Sequence, residues 1–256
     1  MISTKTRATT RPVIDRTYPT PKRLARIAGV LYLLMGVFSG FALLFVYAKV
    51  YVPGDAAQTA GNLVANSGLV RMGVVADLVQ AAFWIFTALT LYQLLKHVSK
   101  SAASAMVVLA GMGAGIVMVN EVFGFEALRV ATGAVNLASL GSAGSNALAL
   151  LLVDAQHYGL LIAQIFFGLW LVPLGILAYK SGWFPKALGV VLILGAVCYI
   201  VDMLAAFLVP DFGKAIHAFI STPPAIAEIS MVVYLLVIGV KTSTAAEHLV
   251  PEEGRA

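Results

Sequence analysis

Long, nearly uninterrupted apolar runs dominate the hydrophobic pattern of this chain, and short polar segments separate them. Six runs each reach the roughly 20 residues that an α-helix needs to cross the hydrocarbon core of a bilayer. They comprise residues 27–48, 72–95, 102–122, 158–179, 187–209 and 216–240. None shows the alternation typical of membrane β-strands, so each run is predicted as a helix that satisfies its own backbone hydrogen bonds. The pattern predicts an all-α, polytopic membrane bundle of six transmembrane helices.

The polar segments divide the chain into one bundle and two tails. Residues 1–22 are rich in Thr, Arg and Pro and have too little apolar content to bury a core, so they are predicted as a disordered basic tail. Residues 23–241 are predicted as the transmembrane domain. Residues 242–256 are predicted as a flexible C-terminal tail.

Two of the connections between spans are predicted to contain extra helical structure. Asp55 is a suitable N-cap for a short helix over Ala56–Ala65. The longest connection, residues 126–157, becomes apolar again before the fourth span. It holds either an early start of that span or a short helix along the membrane surface.

Two pairs of glycines at GxxxG spacing mark predicted helix contacts, Gly36 with Gly40 and Gly111 with Gly115. This spacing lets two helix backbones approach closely in lipid. The pairs predict packing inside the bundle, and association of two copies into a homodimer is the alternative.

Composition and charge agree with a membrane location and orient the bundle. The chain is 60% hydrophobic and 11% charged, whereas soluble domains are typically about 25% charged. All but four of the 17 Lys and Arg residues precede the first span, follow the sixth, or lie between spans two and three or four and five. Because positive residues stay cytoplasmic, both termini are predicted inside. This explains the net charge of +5 without nucleic acid, and membrane lipid is the predicted partner.

Three carboxylates inside the apolar runs are the leading functional candidates: Asp77, Asp202 and Glu228. Placing an acid at membrane depth is costly, so such residues usually face a bundle interior or a polar cavity. At a helical rise of about 1.5 Å per residue, most polar side chains fall in the outer half of the bundle. We therefore predict one outward-facing pocket with Glu228 at its floor. Its candidate binding residues are Arg71, Asp77, Gln80, Asn120, Glu121, His157, Gln164, Asp202 and Glu228.

Arg71 is the predicted counter-charge of this pocket. It precedes Asp77 by six residues, which places the two about 240° apart around a helix, so its partner is predicted on another helix, either Asp202 or Glu121. The second interpretation of Arg71, and the one that the sequence favours, is an interfacial anchor whose guanidinium extends to the headgroups. For the three acids the alternative is a structural role, with Glu228 protonated by burial.

The sequence contains no familiar enzyme or cofactor signature. HExxH, GxSxG and phosphate-loop motifs are absent, and the single Cys198 excludes a disulfide or a Cys-based zinc site within one chain. No metal or cofactor is predicted, the alternative being a metal held by His157, Asp202 and His217. Three functions stay open: binding or moving a small molecule, ion, lipid or proton in the pocket, a structural or regulatory role, and intramembrane lipid hydrolysis.

Several short motifs resemble a bacterial integral-membrane family known as the domain of unknown function number 4386. They include Arg23-Leu-Ala-Arg-Ile-Ala-Gly-Val-Leu-Tyr32, Val52-Pro-Gly-Asp-Ala56, Arg71-Met-Gly-Val-Val-Ala-Asp77, His157-Tyr-Gly159, Lys180-Ser-Gly-Trp-Phe-Pro-Lys-Ala-Leu-Gly189 and Tyr199-Ile-Val-Asp202. The resemblance spans residues 22–241. It implies a multi-helix bundle in a bacterial inner membrane and places Arg71, Asp77, Tyr158, Gly159, Asp202 and Glu228 in a recurring motif. It implies no activity.

Overall fold

The computed structural model describes residues 20–241, and every predicted span is helical in it. The six apolar helices cover Pro21–Val50, Ser67–Leu95, Lys100–Ala131, Ala138–Lys180, Lys186–Leu208 and Pro210–Val237. The prediction of an all-α bundle with six membrane-spanning helices is confirmed. The predicted tail 242–256 and most of the predicted tail 1–22 lie outside the described residues.

Each span packs against the next one along the chain. The sixth span also contacts the first, which closes the six helices into a ring. Tyr32, Trp84 and Trp170 meet in the interior, with Trp170 lying 5.4 Å from Tyr32 and 5.7 Å from Trp84 between ring centroids. Small residues bring the helices close together. A Cβ added at Gly175 would lie 2.7 Å from the backbone oxygen of Gly189 on the next span, so these backbones touch.

The two GxxxG pairs do not make such contacts. A Cβ added at Gly36, Gly40, Gly111 or Gly115 would have no neighbouring atom within 4 Å. The prediction that they pack inside the bundle is wrong, because these glycines lie on the faces of their helices that point away from the neighbouring spans. Association of two copies through them stays a prediction.

One end of the bundle, which we call the basic end, gathers the connections that carry lysines. The backbone N–H of Lys241 donates to the carbonyl of Trp183 at 3.3 Å, which ties the end of the sixth span to the connection after the fourth. The ring of Trp183 lies 4.3 Å from that of His97, in the connection between spans two and three. Even-numbered spans therefore end where odd-numbered spans begin.

The opposite end, which we call the capped end, is covered by the predicted short helix Ala56–Ala65. Asp55 accepts a hydrogen bond from the N–H of Gln58 at 2.9 Å, so the predicted N-cap is confirmed. Leu63 and neighbouring apolar residues form a second core with the ends of the first, third and fourth spans. The short helix therefore covers the polar side chains that lie beneath it.

The spans extend beyond several of their predicted bounds, and the fourth and sixth differ in kind. The fourth is a helix over Gly141–Lys180, so the apolar stretch before it is an early start of the span. At about 1.5 Å per residue this helix is about 60 Å long, twice the hydrocarbon thickness. The sixth span was predicted as one helix over 216–240, which is wrong. It consists of Pro210–Ile220 and Thr222–Val237, because two prolines open the second helix, where their missing N–H groups are tolerated.

Candidate functional site

The hydroxyl of Tyr47 is the centre of a buried polar cluster near the capped end. It lies 2.7 Å from Asp77 Oδ2 and 2.8 Å from Glu121 Oε1. Gln156 Nε2 donates to this hydroxyl at 2.7 Å and to Glu121 Oε1 at 3.0 Å. Asp77 is 7% exposed and Glu121 4%, so both side chains are buried in the bundle. Three side chains, from the second, third and fourth spans, thus share the hydroxyl group of the first.

The backbone of the first span places Tyr47 in this position. After the α-helix Pro21–Phe41, the chain adopts π geometry over Ala42–Tyr47. A π turn contains more residues than an α turn, so it rotates the following side chains around the helix axis, and such turns are frequent at functional sites. Leu44 and Phe45 within this turn are exposed on the lipid face, whereas the Tyr47 hydroxyl reaches the interior.

Close approach of the third and fourth spans completes the cluster. Asn120 Nδ2 donates to the backbone carbonyl of Gln156 at 2.7 Å. A Cβ at Gly159 would clash with the Asn120 side chain, and a Cβ at Gly124 would clash with the side chain of Gln156. These two glycines therefore leave room for the side chains of Asn120 and of Gln156, the amide that bonds Glu121.

A small cavity of about 60 Å³ adjoins the cluster at the capped end. Tyr47, Glu121 and Gln156 line its inner side, and Tyr51 and the exposed His157 line its outer side. The cavity exceeds the roughly 10–15 Å³ that one water molecule needs, but it is far below the roughly 300 Å³ of a typical small-molecule site. Its size suits water and not a bulky ligand.

Tyr51 forms the rim of this cavity. Its hydroxyl donates to Asp154 Oδ1 at 2.6 Å, and its ring lies 5.3 Å from that of His157. Partial burial and the hydrogen bond to Asp154 raise the pKa of Tyr51 well above its ordinary value. The rim therefore carries a neutral hydroxyl and an imidazole.

Glu228 belongs to a second, separate cluster. Tyr32 donates to its Oε2 at 2.8 Å and Tyr199 donates to its Oε1 at 2.9 Å. Glu228 and Gln80 line a cavity of about 90 Å³ beside these tyrosines. The carboxylate joins the first, fifth and sixth spans, since each of its oxygens has a tyrosine donor.

Asp202 belongs to a third cluster, between the fourth, fifth and sixth spans. Both of its oxygens lie 3.0 Å from His217 Nδ1, and Gln164 Nε2 donates to Oδ2 at 3.3 Å. Asp202 is buried while His217 is exposed. Within residues 20–241, no three His, Cys, Asp or Glu side chains are placed to hold one metal ion, so the metal alternative that added His157 has no support.

Arg71 lies apart from all three clusters. Its guanidinium lies over the ring of Phe125 at 6.0 Å, and no carboxylate of the described part of the chain pairs with it. The prediction that it pairs with Asp202 or Glu121 is wrong, because its position on the second helix turns it outward while Asp77 turns inward.

The structure therefore divides the predicted single pocket into three hydrogen-bonded clusters. It brings together Asp77, Asn120 and Glu121, with His157 at the cavity rim, and it brings together Gln164 and Asp202. Gln80 and Glu228 share a cavity. The binding role of these residues stays a prediction.

Five bonding partners were not among the predicted site residues: Tyr32, Tyr47, Gln156, Tyr199 and His217. A tyrosine within an apolar span was the available signal, because a buried hydroxyl needs a partner.

Six apolar helices closed into a ring define a multi-pass α-helical membrane protein. Within that class, the chain belongs to the family described as Domain of unknown function (DUF4386), which it matches over residues 27–239. The resemblance inferred from the short motifs is confirmed. An uncharacterized protein of Archaeoglobus fulgidus is 38% identical over 66 residues, which is 23% of this chain and 41% of that protein's length. No solved structure matches the chain.

Proposed function

We propose that this membrane protein binds a proton at the Asp77–Glu121 carboxyl pair and exchanges it with water at the capped end. The observation that carries the proposal is the position of the Tyr47 hydroxyl between the two carboxyl groups. A proton suits the space at the site better than the small molecule or lipid considered from the sequence, because the adjoining cavity holds only about 60 Å³.

A count of hydrogens supports one bound proton. A tyrosine hydroxyl carries one hydrogen and can donate one hydrogen bond, while an ionised carboxylate only accepts. Gln156 already donates to the Tyr47 hydroxyl oxygen, so Tyr47 donates to one carboxylate. The bonded oxygen of the other carboxyl group also lies less than 3 Å from the Tyr47 hydroxyl oxygen. That carboxyl group then needs its own proton, because otherwise two oxygen lone pairs would face each other. Two buried carboxyl groups this close also resist ionising together.

The residues that line the cavity support a route from Glu121 to water. Glu121 Oε2 is buried and has no hydrogen-bond partner among residues 20–241, and Glu121 itself lines the 60 Å³ cavity. The exposed His157 and the hydroxyl of Tyr51 line the same cavity. A proton on Glu121 would reach the surface through water and these two side chains.

The experiment compares proton release from the wild type and from Asp77→Asn/Glu121→Gln in lipid nanodiscs, titrated from neutral to alkaline pH in weak buffer. We expect the wild type to release one more proton than the double variant. Glu126→Gln is the matched control. Glu126 lies on the same helix as Glu121 but pairs with Arg129 outside the cluster, so its loss should leave the difference in proton release unchanged.

Equal release by the wild type and the double variant would overturn the proposal. A purely structural role for the acids predicts that result together with a loss of stability, so the same samples are also tested for thermal unfolding.

We further propose a bacterial cytoplasmic membrane, with the basic end and both termini on the cytoplasmic side. The support is the positive charge of Lys96, Lys100, Lys180 and Lys186 at that end. The test labels two single-cysteine variants in a Cys198→Ala background with an impermeant maleimide on intact cells. We expect labelling of Gln58→Cys, which is exposed at the capped end. Labelling of Lys100→Cys and not of Gln58→Cys would indicate the opposite topology.

A further inference from the structure

An open apolar groove of about 550 Å³ lies between the first and second spans, on the outer surface of the bundle. Its volume is in the range of about 300–1,000 Å³ that holds small-molecule ligands. Arg71 is the single charged residue among those that line it. The others are Val37, Phe38 and Phe41 of the first span and Met72, Val75 and Ala76 of the second.

The charge of Arg71 has no counter-ion within the described chain. Arg129, on the neighbouring span, pairs with Glu126 at 2.6 Å, whereas the guanidinium of Arg71 lies over the ring of Phe125, 6.0 Å from its centroid. A guanidinium has five N–H donors in a planar fork that matches the oxygens of a phosphate. The side chain is exposed, so these donors are free to meet an external anion.

Arg71 lies close to the capped end of its span, where lipid headgroups are expected. It is the fifth residue of the span Ser67–Leu95, about 6 Å along the helix from its start. Arginines at this depth extend toward the membrane interface. From Arg71 the groove continues past Met72 and Val75 along the hydrophobic length of the helix, where only hydrocarbon is a suitable occupant.

We infer that this groove binds one phospholipid, with its phosphate on the Arg71 guanidinium and an acyl chain between Phe38 and Val75. A cation above an apolar slot complements a molecule with an anionic head and an apolar tail. A free phosphate would use Arg71 but would leave the slot empty. The inference is independent of the proton proposal, since no residue of the Asp77–Glu121 cluster lines the groove.

The test titrates the detergent-purified full chain with dioleoylphosphatidylglycerol and measures bound lipid by native mass spectrometry. Arg71→Gln removes a charge-assisted hydrogen bond, so we expect roughly tenfold weaker binding. Val75→Trp should weaken binding by filling the slot while Arg71 stays intact. Val75 is 58% exposed, so this change should fold, and Met72→Trp, at a position 56% exposed, is the second variant of this kind.

Arg129→Gln is the matched control, because it removes a paired arginine at the same end of the bundle and should bind the lipid like the wild type. Dioleoylglycerol, which lacks the phosphate, should bind with no dependence on Arg71. Inorganic phosphate in excess should not displace the lipid.

Two results would overturn the inference. One is equal affinity of Arg71→Gln and Arg129→Gln for phosphatidylglycerol. The other is displacement of the lipid by inorganic phosphate together with no effect of either tryptophan variant, which would identify a site for a soluble anion.

Discussion

Replacing Tyr47 with Phe removes the one hydroxyl that the carboxyl cluster shares. Three hydrogen-bond contacts are lost, to Asp77, Glu121 and Gln156. Hydrogen bonds between membrane helices average about 0.6 kcal/mol, which gives roughly 2 kcal/mol for the three. Bonds to charged groups are worth about 1.5–3 kcal/mol each, so the figure is a lower bound if one carboxylate is ionised. We expect the free energy of unfolding to fall by at least about 2 kcal/mol.

The assay is SDS-induced unfolding in mixed micelles, with Tyr92→Phe as the control. Tyr92 is also half-buried in the bundle, but its hydroxyl makes no hydrogen bond to the residues that the structure describes. A double-mutant cycle of Tyr47→Phe with Glu121→Gln should give a coupling energy of about 1 kcal/mol, since contacting residues are not additive. The reasoning fails if Tyr47→Phe costs no more than Tyr92→Phe, or if the two cluster changes add without coupling.

Two further predictions concern the packing of the bundle. Glu228→Gln turns one acceptor oxygen into a donor that faces a tyrosine donor, so stability should fall by about 1–3 kcal/mol in thermal unfolding. Glu126→Gln should change it by less than about 0.5 kcal/mol, and equal effects would contradict the buried bridge. Gly175→Ala places a Cβ 2.7 Å from the Gly189 backbone oxygen and should cost about 1–3 kcal/mol. Gly111→Ala, which meets no atom within 4 Å, should be neutral or slightly stabilising, and the reverse order would refute this packing.

The elements that depend on local physics were predictable from the sequence. Run length identifies a membrane span because the bilayer fixes the number of helical residues required. The cap at Asp55 was predictable for the same kind of reason, since its side chain bonds an N–H three residues away. The break in the sixth span had a visible cause in Pro223 and Pro224, but the sequence did not show that the helix restarts there with its prolines in the first turn.

The grouping of the acids was not predictable, because it depends on helix rotation and on pairings distant in sequence. Tyr47 is 30 residues from Asp77 and 109 from Gln156, and a π turn with no recognised sequence signal sets its direction. Depth alone placed Asp77 and Asp202 together. Their helices are not adjacent in the ring, so the two carboxylates have different partners.

The most direct test of the central claim is the infrared carbonyl stretch of a protonated carboxyl group in nanodisc samples at neutral pH. The wild type should show this band, and transfer to D₂O should shift it, because the proton exchanges with water through the cavity at Glu121. Asp77→Asn/Glu121→Gln should lose the part of the band that this pair contributes, and Glu126→Gln should keep it. A band that survives unchanged in the double variant, or no band in the wild type, would contradict a proton shared by Asp77 and Glu121.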